Sequence, residues 1–380
     1  RFRNVTGVQT CALPISKGKT MKNIIKTIIV MFSSISLFAS ANAGELSVSG
    51  TAKATYNIQS GKTNADTGIG ITNELNFTAS GELDNGYTWS YSMELDPNAV
   101  SAGTTGSAEN DDTSMTLTTP MGTVGVFVSE GGLDVEDAAS QSVYARPTDA
   151  GDPSATSDNF TIDSYNNIQY HTPADLLPFG VSAKIAYATD LGGAAAASGN
   201  AGGTVQTNTD TTAGTNATEI QVKAAPIDGL SIGASYFEFG GQSGEQKNDQ
   251  NAESGAYYAT YSAGPVSIGY SKAHKATHLI DNHDGVTATD AVEDYDQTNY
   301  SIAFAASDDL SVSYERETSE ANKLDDTSVE QESSAVQVAY TMGGMTLAVS
   351  HASHDNNGYV DGANTDQTLF AEIGRASCRE

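Results

Sequence analysis

The residues of this chain that could carry chemistry are mostly carboxylates, and they crowd one stretch. Glu130, Asp134, Glu136 and Asp137 are followed by Asp149, Asp152, Asp158 and Asp163, with Arg146 as the single base among them. Acids at that density point to electrostatics: carboxylates around a narrow column of water attract cations and repel anions. Salt shortens the field to roughly 10 Å at 0.1 M, so only acids close to a constriction count. Two histidine groups raise metal binding: His274, His278 and His283 near Asp281 and Asp284, and His351 and His354 beside Asp355. Neither group shows residues spaced to orient a metal-bound imidazole. The expectation is therefore no resident cofactor, with at most Ca2+ held loosely by acidic loops through oxygen ligands. Catalysis finds little footing. There is no G-x-S-x-G elbow, no Walker loop and no H-E-x-x-H, so no enzyme is expected.

The chain has 380 residues, with 18 Lys and Arg against 47 Asp and Glu and a formal net charge of −29. Such a chain lacks the basic clusters that release counterions from nucleic acid, which excludes that partner. Both ends look foreign. Val5 to Ser16 and Ile373 to Glu380 read like sequencing-adapter DNA, so residues 1–20 and 373–380 are set aside. The only cysteines, Cys11 and Cys378, fall in those segments, which leaves no disulfide framework or thiolate site. Residues 21–43 read as a secretory signal peptide: Met21, Lys22 and Lys26, an apolar run from Ile24 to Phe38, then Ala41-Asn42-Ala43 as the cleavage pattern. The mature chain then starts at Gly44, and up to Glu372 it sets 10 bases against 46 acids. No later segment reaches the roughly 18 apolar residues of a spanning helix.

What must position the acids is a set of strands. From Glu45 onward Leu46, Val48, Ala52, Ala54, Tyr56 and Ile58 alternate with Ser47, Ser49, Thr51, Lys53, Thr55 and Asn57, the period of a strand with one apolar face. Asp84-Asn85-Gly86 joins two more such runs through a tight hairpin turn. The pattern recurs to give sixteen strands, the last starting near Asp366. Every second connection is short, as at Pro120-Met121-Gly122, Gly264-Pro265 and Met342-Gly343-Gly344. The others are long and polar, including Asp190 to Ala217, Gly240 to Ser254, Lys275 to Tyr295 and Ser319 to Ser333. That sorting predicts an all-β, 16-stranded antiparallel transmembrane barrel with short periplasmic turns and long extracellular loops.

Alternation assigns faces. Tyr170, Tyr187, Tyr236, Tyr270, Tyr300, Tyr314 and Tyr340 fall on the apolar side, as aromatic girdles at lipid interfaces would. Lys53, Glu74, Glu82, Glu94, Lys184 and Lys223 fall on the polar side with Phe127, Phe237 and Phe239, and Arg316 shares the face of Tyr314. A polar interior in so wide a barrel holds water.

The run Tyr165-Asn166-Asn167-Ile168-Gln169-Tyr170-His171-Thr172-Pro173, followed by Phe179-Gly180-Val181-Ser182-Ala183-Lys184-Ile185-Ala186-Tyr187, resembles a hairpin of the Gram-negative general porins. Met115 to Val128, with Thr119-Pro120-Met121-Gly122-Thr123, resembles the hairpin before it, and the likeness covers Gly44 to about Ala371 of a barrel domain read over residues 44–372. The resemblance implies a homotrimer in the outer membrane, in contact with its lipid and lipopolysaccharide. It also implies a third loop, here Glu130 to Ser164, folded into the lumen. One departure is clear: the family often sets arginines on the wall against acids on that loop, yet the mature chain has only Arg146 and Arg316. The expected function is a porin channel for passive diffusion of small hydrophilic solutes and ions. Glu130, Asp134, Glu136, Asp137 and Arg146 would form its cation-selective constriction. The alternatives are a substrate-specific channel, which would want inward aromatics as a sugar track, and a non-pore surface or adhesin protein.

Overall fold

The computed structural model describes residues 45–61, 67–97, 108–149, 158–189, 191, 194–195, 205–206, 215–241, 250–277, 292–323 and 326–379. The segments read as adapter (1–20) and signal peptide (21–43), and the positions Asp152, His278, Asp281, His283 and Asp284, lie outside the described residues.

Alternating sequence becomes strand wherever one face can meet an apolar surface and the other water. β1 (Glu45–Gly61), β2 (Thr67–Glu82), β3 (Thr88–Pro97), β4 (Ala108–Thr119) and β5 (Gly122–Val128) come first, then β6 (Asn167–His171) and β7 (Ser182–Ala188). β8 (Ala194–Ala195) and β9 (Val205–Gln206) pair only with each other, outside the main sheet. β10 (Asn216–Ile227), β11 (Leu230–Gly240), β12 (Glu253–Ala263), β13 (Val266–Ala276) and β14 (Val292–Ala305) follow. β15 (Leu310–Lys323), β16 (Ser328–Met342), β17 (Met345–Asp355) and β18 (Thr365–Arg379) complete the chain. Sixteen of these form one closed barrel in which every neighbour pair is antiparallel. β1 and β18 close it, from Gly61 opposite Thr365 to Ser47 opposite Arg379, with residues 373–379 of the segment set aside as adapter-like completing β18. Closure removes every unpaired edge, which an apolar surround requires.

The outward face carries Ile220 and Val222 on β10, Tyr257 and Tyr261 on β12, Tyr300 and Ile302 on β14, and Val336 and Tyr340 on β16, all exposed. The inward face is Ser, Thr, Asn, Gln and charge. Ser49, Asn76 and Glu94, for example, stand in one row across β1, β2 and β3. The Asn85-Gly86 turn forms because Gly86 takes φ +80, while the Asn85 side chain accepts the amide of Tyr87 at 3.0 Å.

One connection is much shorter than its composition suggests. A loop is expected over Ser319 to Ser333, but β15 runs to Lys323 and β16 begins at Ser328. Beyond the apolar belt both faces of these strands are polar, as where Glu320 stands opposite Glu330, so hydrophobic alternation stops while backbone pairing continues.

Candidate functional site

The long connection from β5 to β6 turns into the barrel and lies along its inner wall. Apolar residues at its base anchor it: Leu133 and Ile162 pack with Ala186, Ala188, Ala217 and Phe237. Further along, Val135 and Ala139 pack with Ala256, Tyr258 and Ala273. At its tip Val143 and Tyr144 sit on Ala339, Ala348, Leu369 and Ala371. Most of these wall residues are alanines, so the loop approaches the sheet closely.

Polar wall residues then satisfy the loop's backbone, as burial demands. The Glu219 carboxylate accepts the amides of Leu133 at 3.3 Å and Ile162 at 2.9 Å, clasping both arms of the loop. Gln221 donates to the Leu133 carbonyl at 2.7 Å, and Ser235 Oγ accepts the Val135 amide at 3.1 Å. Ser271 and Ser301 donate to the carbonyls of Glu136 and Ala139, both at 2.6 Å. On β15, Glu315 accepts the hydroxyls of Ser140 and Ser142 at 2.6 Å each, and Glu317 accepts that of Thr148 at 2.8 Å. The Tyr144 amide reaches Gln337 Oε1 at 3.0 Å.

Beyond the tip, Lys53 of β1 places its ammonium 5.8 Å from the centroid of the Tyr144 ring. The loop thus runs from the β5–β6 side along β10 to β18, and its tip faces β1. On the wall of β1 to β3, Glu74 stands opposite Thr51 and Glu94 opposite Asn76 on the inward face.

The five loop residues singled out from sequence have different environments. Glu130 is half-buried at the loop's base. Asp134 holds the loop together: one oxygen accepts the Glu136 amide at 2.8 Å, the other Ser235 Oγ at 2.9 Å and Asn159 Nδ2 at 3.1 Å. Glu136 is only 8% exposed and accepts the Asn159 amide at 3.1 Å. Its burial, reinforced by Asp134, Asp137 and Asp158, pushes its carboxyl up to about 9. Asp137 is half open to the lumen and ion-paired to Arg146. Enclosure by loop and wall still pushes its carboxyl up to about 7, with Arg146 opposing and Asp158, Glu317 and Asp149 adding. Burial disfavours the Arg146 cation, but Glu317 at 3.4 Å, Asp137 and Asp149 at 2.9 Å outweigh it and hold the guanidinium charged. Arg146 is therefore a structural cross-link between loop and wall. Asp163, at the returning arm, is raised mainly by burial.

Of the wall charges, Lys184 stands opposite His171 and Gln221, and Lys223 opposite Ser182 and Gly233. Lys223 also lies 6.0 Å from the Tyr258 ring. Glu82 shares the inward row of Thr88 and Thr118. These three occupy the turn end of the barrel, below the loop. Arg316 faces outward and is bound bidentately by Glu332, at 2.7 Å for both contacts. Phe237 is 1% exposed beneath the loop, packed with Phe160 and Phe239.

The histidines part company. His274 Nδ1 lies 3.0 Å from Asp296 and, with Asp294, brings three potential ligand atoms within 4.8 Å of one another. His351 and His354 instead bond Thr368 and Ser333, each at 2.9 Å.

The anchors Glu219, Glu315 and Glu317 were not singled out from sequence. The inward parity of β10 and β15 was the signal available for them, since each shares the face of the polar residues around it.

Solved structures repeat the architecture. Salmonella typhi OmpF in complex with daunomycin is similar at 13% identity, with a TM-score of 0.62 over 88% of this chain and 98% of that one. A mutant porin of Rh. blastica aligns at 15% identity, with a TM-score of 0.54 over 87% and 100%. In-vitro folded OmpT of Vibrio cholerae, in its trimer form, aligns at 11% identity with a TM-score of 0.56 over 88% and 100%. No curated protein matches the chain. Residues 27–371 match the model of the Gram-negative porin family, and with its closed sixteen-stranded barrel the chain belongs to that family.

Proposed function

We propose that this porin is a water-filled, cation-selective channel through which small hydrophilic solutes and ions cross the outer membrane passively, after export through the periplasm by residues 21–43. The observation that carries the reading is the loop laid along one side of a polar lumen. It narrows the barrel and leaves Asp137 half open, and Glu74 and Glu94 add carboxylates on the inward face of β2 and β3. Acids around restricted water concentrate cations by the field they focus. Lys184 and Lys223 at the turn end make the field uneven along the axis, so a cation meets its attraction first on the loop side. No catalytic step and no resident cofactor belong to this reading. Loosely held Ca2+ at the acidic loops is compatible with it.

The homotrimer rests on the likeness to a porin solved in trimer form. A sugar-specific track is disfavoured because Phe237, one of the inward aromatics such a track would want, is covered by the loop. A non-pore surface protein would have no use for a closed barrel with an apolar exterior. The test is a planar bilayer recording across a salt gradient. Stepwise openings with a cation-selective reversal potential are expected; insertion without conductance, or an anionic potential, overturns the reading.

A further inference from the structure

Residues 356–364, between β17 and β18, also fold onto the inner wall. The Gly358 amide donates to Gln331 Oε1 at 2.9 Å, and the Tyr359 and Ser319 hydroxyls share a hydrogen bond of 2.7 Å. The Tyr359 ring packs on Tyr295 with centroids 5.2 Å apart. Gln331 and Ser319 lie on the lumen face, where water would otherwise reach them, yet both are 0% exposed. His354, on the same face of β17, is 1% exposed.

This docking carries costs as well as contacts. Asn356 (φ +53) and Tyr359 (φ +58) occupy the left-handed region, uncommon for a residue as bulky as tyrosine. Nearby, His354 Nε2 and Thr365 Oγ1 are buried without a hydrogen-bond partner. Lifting the segment would let the backbone relax and water reach both atoms. Against these costs stand the Gly358 and Tyr359 anchors and the hydrogen bond from Asn356 Nδ2 to the Glu330 carbonyl at 2.9 Å, polar contacts that water can replace, the condition for a segment with two accessible positions.

We propose that residues 356–364 form a second, displaceable constriction at the loop end of the barrel, pinned to the wall by Tyr359, which limits the size of entering solutes. The inference rests on the channel reading above and adds a size filter separate from the acidic one.

The test is liposome swelling with a mono-, di- and trisaccharide series, beside bilayer recording, on the wild type, Y359A and a deletion of residues 358–362. The deletion should close cleanly, because the Asn357 amide already donates to the Ala363 carbonyl at 2.8 Å. Both variants should raise the trisaccharide rate relative to the monosaccharide rate several-fold and leave the reversal potential unchanged. Wild-type size limits in either folded variant overturn the strap. A non-conducting wild type overturns the channel reading instead. Amide exchange on the wild type gives a readout without any variant: the Gly358 amide should exchange more slowly than an open loop, and free exchange there overturns docking.

Discussion

The Ala139 carbonyl of the inward loop rests against Gly269 of β13 so closely that a β-carbon at that position would overlap it. The same carbonyl accepts the Ser301 hydroxyl at 2.6 Å, so the loop is both drawn to the wall and allowed to reach it. G269A should push the loop off the sheet toward the lumen centre. Overpacking of this kind typically costs about 1–3 kcal/mol. A lower thermal midpoint and a smaller single-channel conductance are expected; unchanged conductance would show that the loop position does not set the pore.

Glu219 is the clasp that holds both arms. E219A leaves the buried amides of Leu133 and Ile162 without their acceptor. An unsatisfied buried amide costs about 1–3 kcal/mol. The barrel should still form, since its strand ladder is untouched, while the loop loosens. Limited proteolysis within residues 130–165 should become faster in E219A, and current traces noisier. Wild-type protease resistance would argue against the clasp.

Glu136 makes loop docking pH-dependent. Its folded value of about 9 lies above its ordinary value of 4.5, so the docked state holds a proton that the undocked state gives up. Its contribution is full below pH 4.5, declines as pH rises between 4.5 and 9, and is gone above 9. The thermal midpoint should therefore fall from pH 6 to pH 9 by more in wild type than in E136Q. Parallel curves for the two proteins would sink the assignment.

Asp137 should make selectivity itself titrate. With its carboxyl near 7, it adds negative charge beside the opening as pH climbs from 6 to 8. Cation preference, read from reversal potentials at low salt, should rise over that range in wild type and stay flat in D137N. E74Q with E94Q should lower the preference at every pH. If that double variant selects as wild type does, the charge that matters lies elsewhere.

How much was legible beforehand depends on the kind of order involved. The barrel was, because Leu46 to Ile58 and their counterparts alternate with period two and the turn residues sit between. The inward face of Glu74 or Lys223 follows from the same parity. The loop's own acids were a different matter. Glu136 and Asp137 are adjacent and alike in sequence, yet one is buried and the other half open. That split comes from the wall: Ser271 takes the Glu136 carbonyl and Arg146 reaches Glu317. Irregular backbone has no period that would reveal such contacts. The cross-strand meeting of His274 with Asp296 was equally hidden, because it depends on register between β13 and β14 and not on nearness in the chain.

The loop's anchors also fix when in synthesis a pore can exist. Leu133 and Glu219 are 86 residues apart, and Tyr144 and Gln337 are 193 apart. Contacts of such separation form late, because the entropy of closing so much chain must be met first. An emerging or truncated chain that lacks β15 and β16 has the acidic segment but nothing to lay its tip against. The narrow passage is thus a product of completed closure, and ion flow reports that the last strands have found their places.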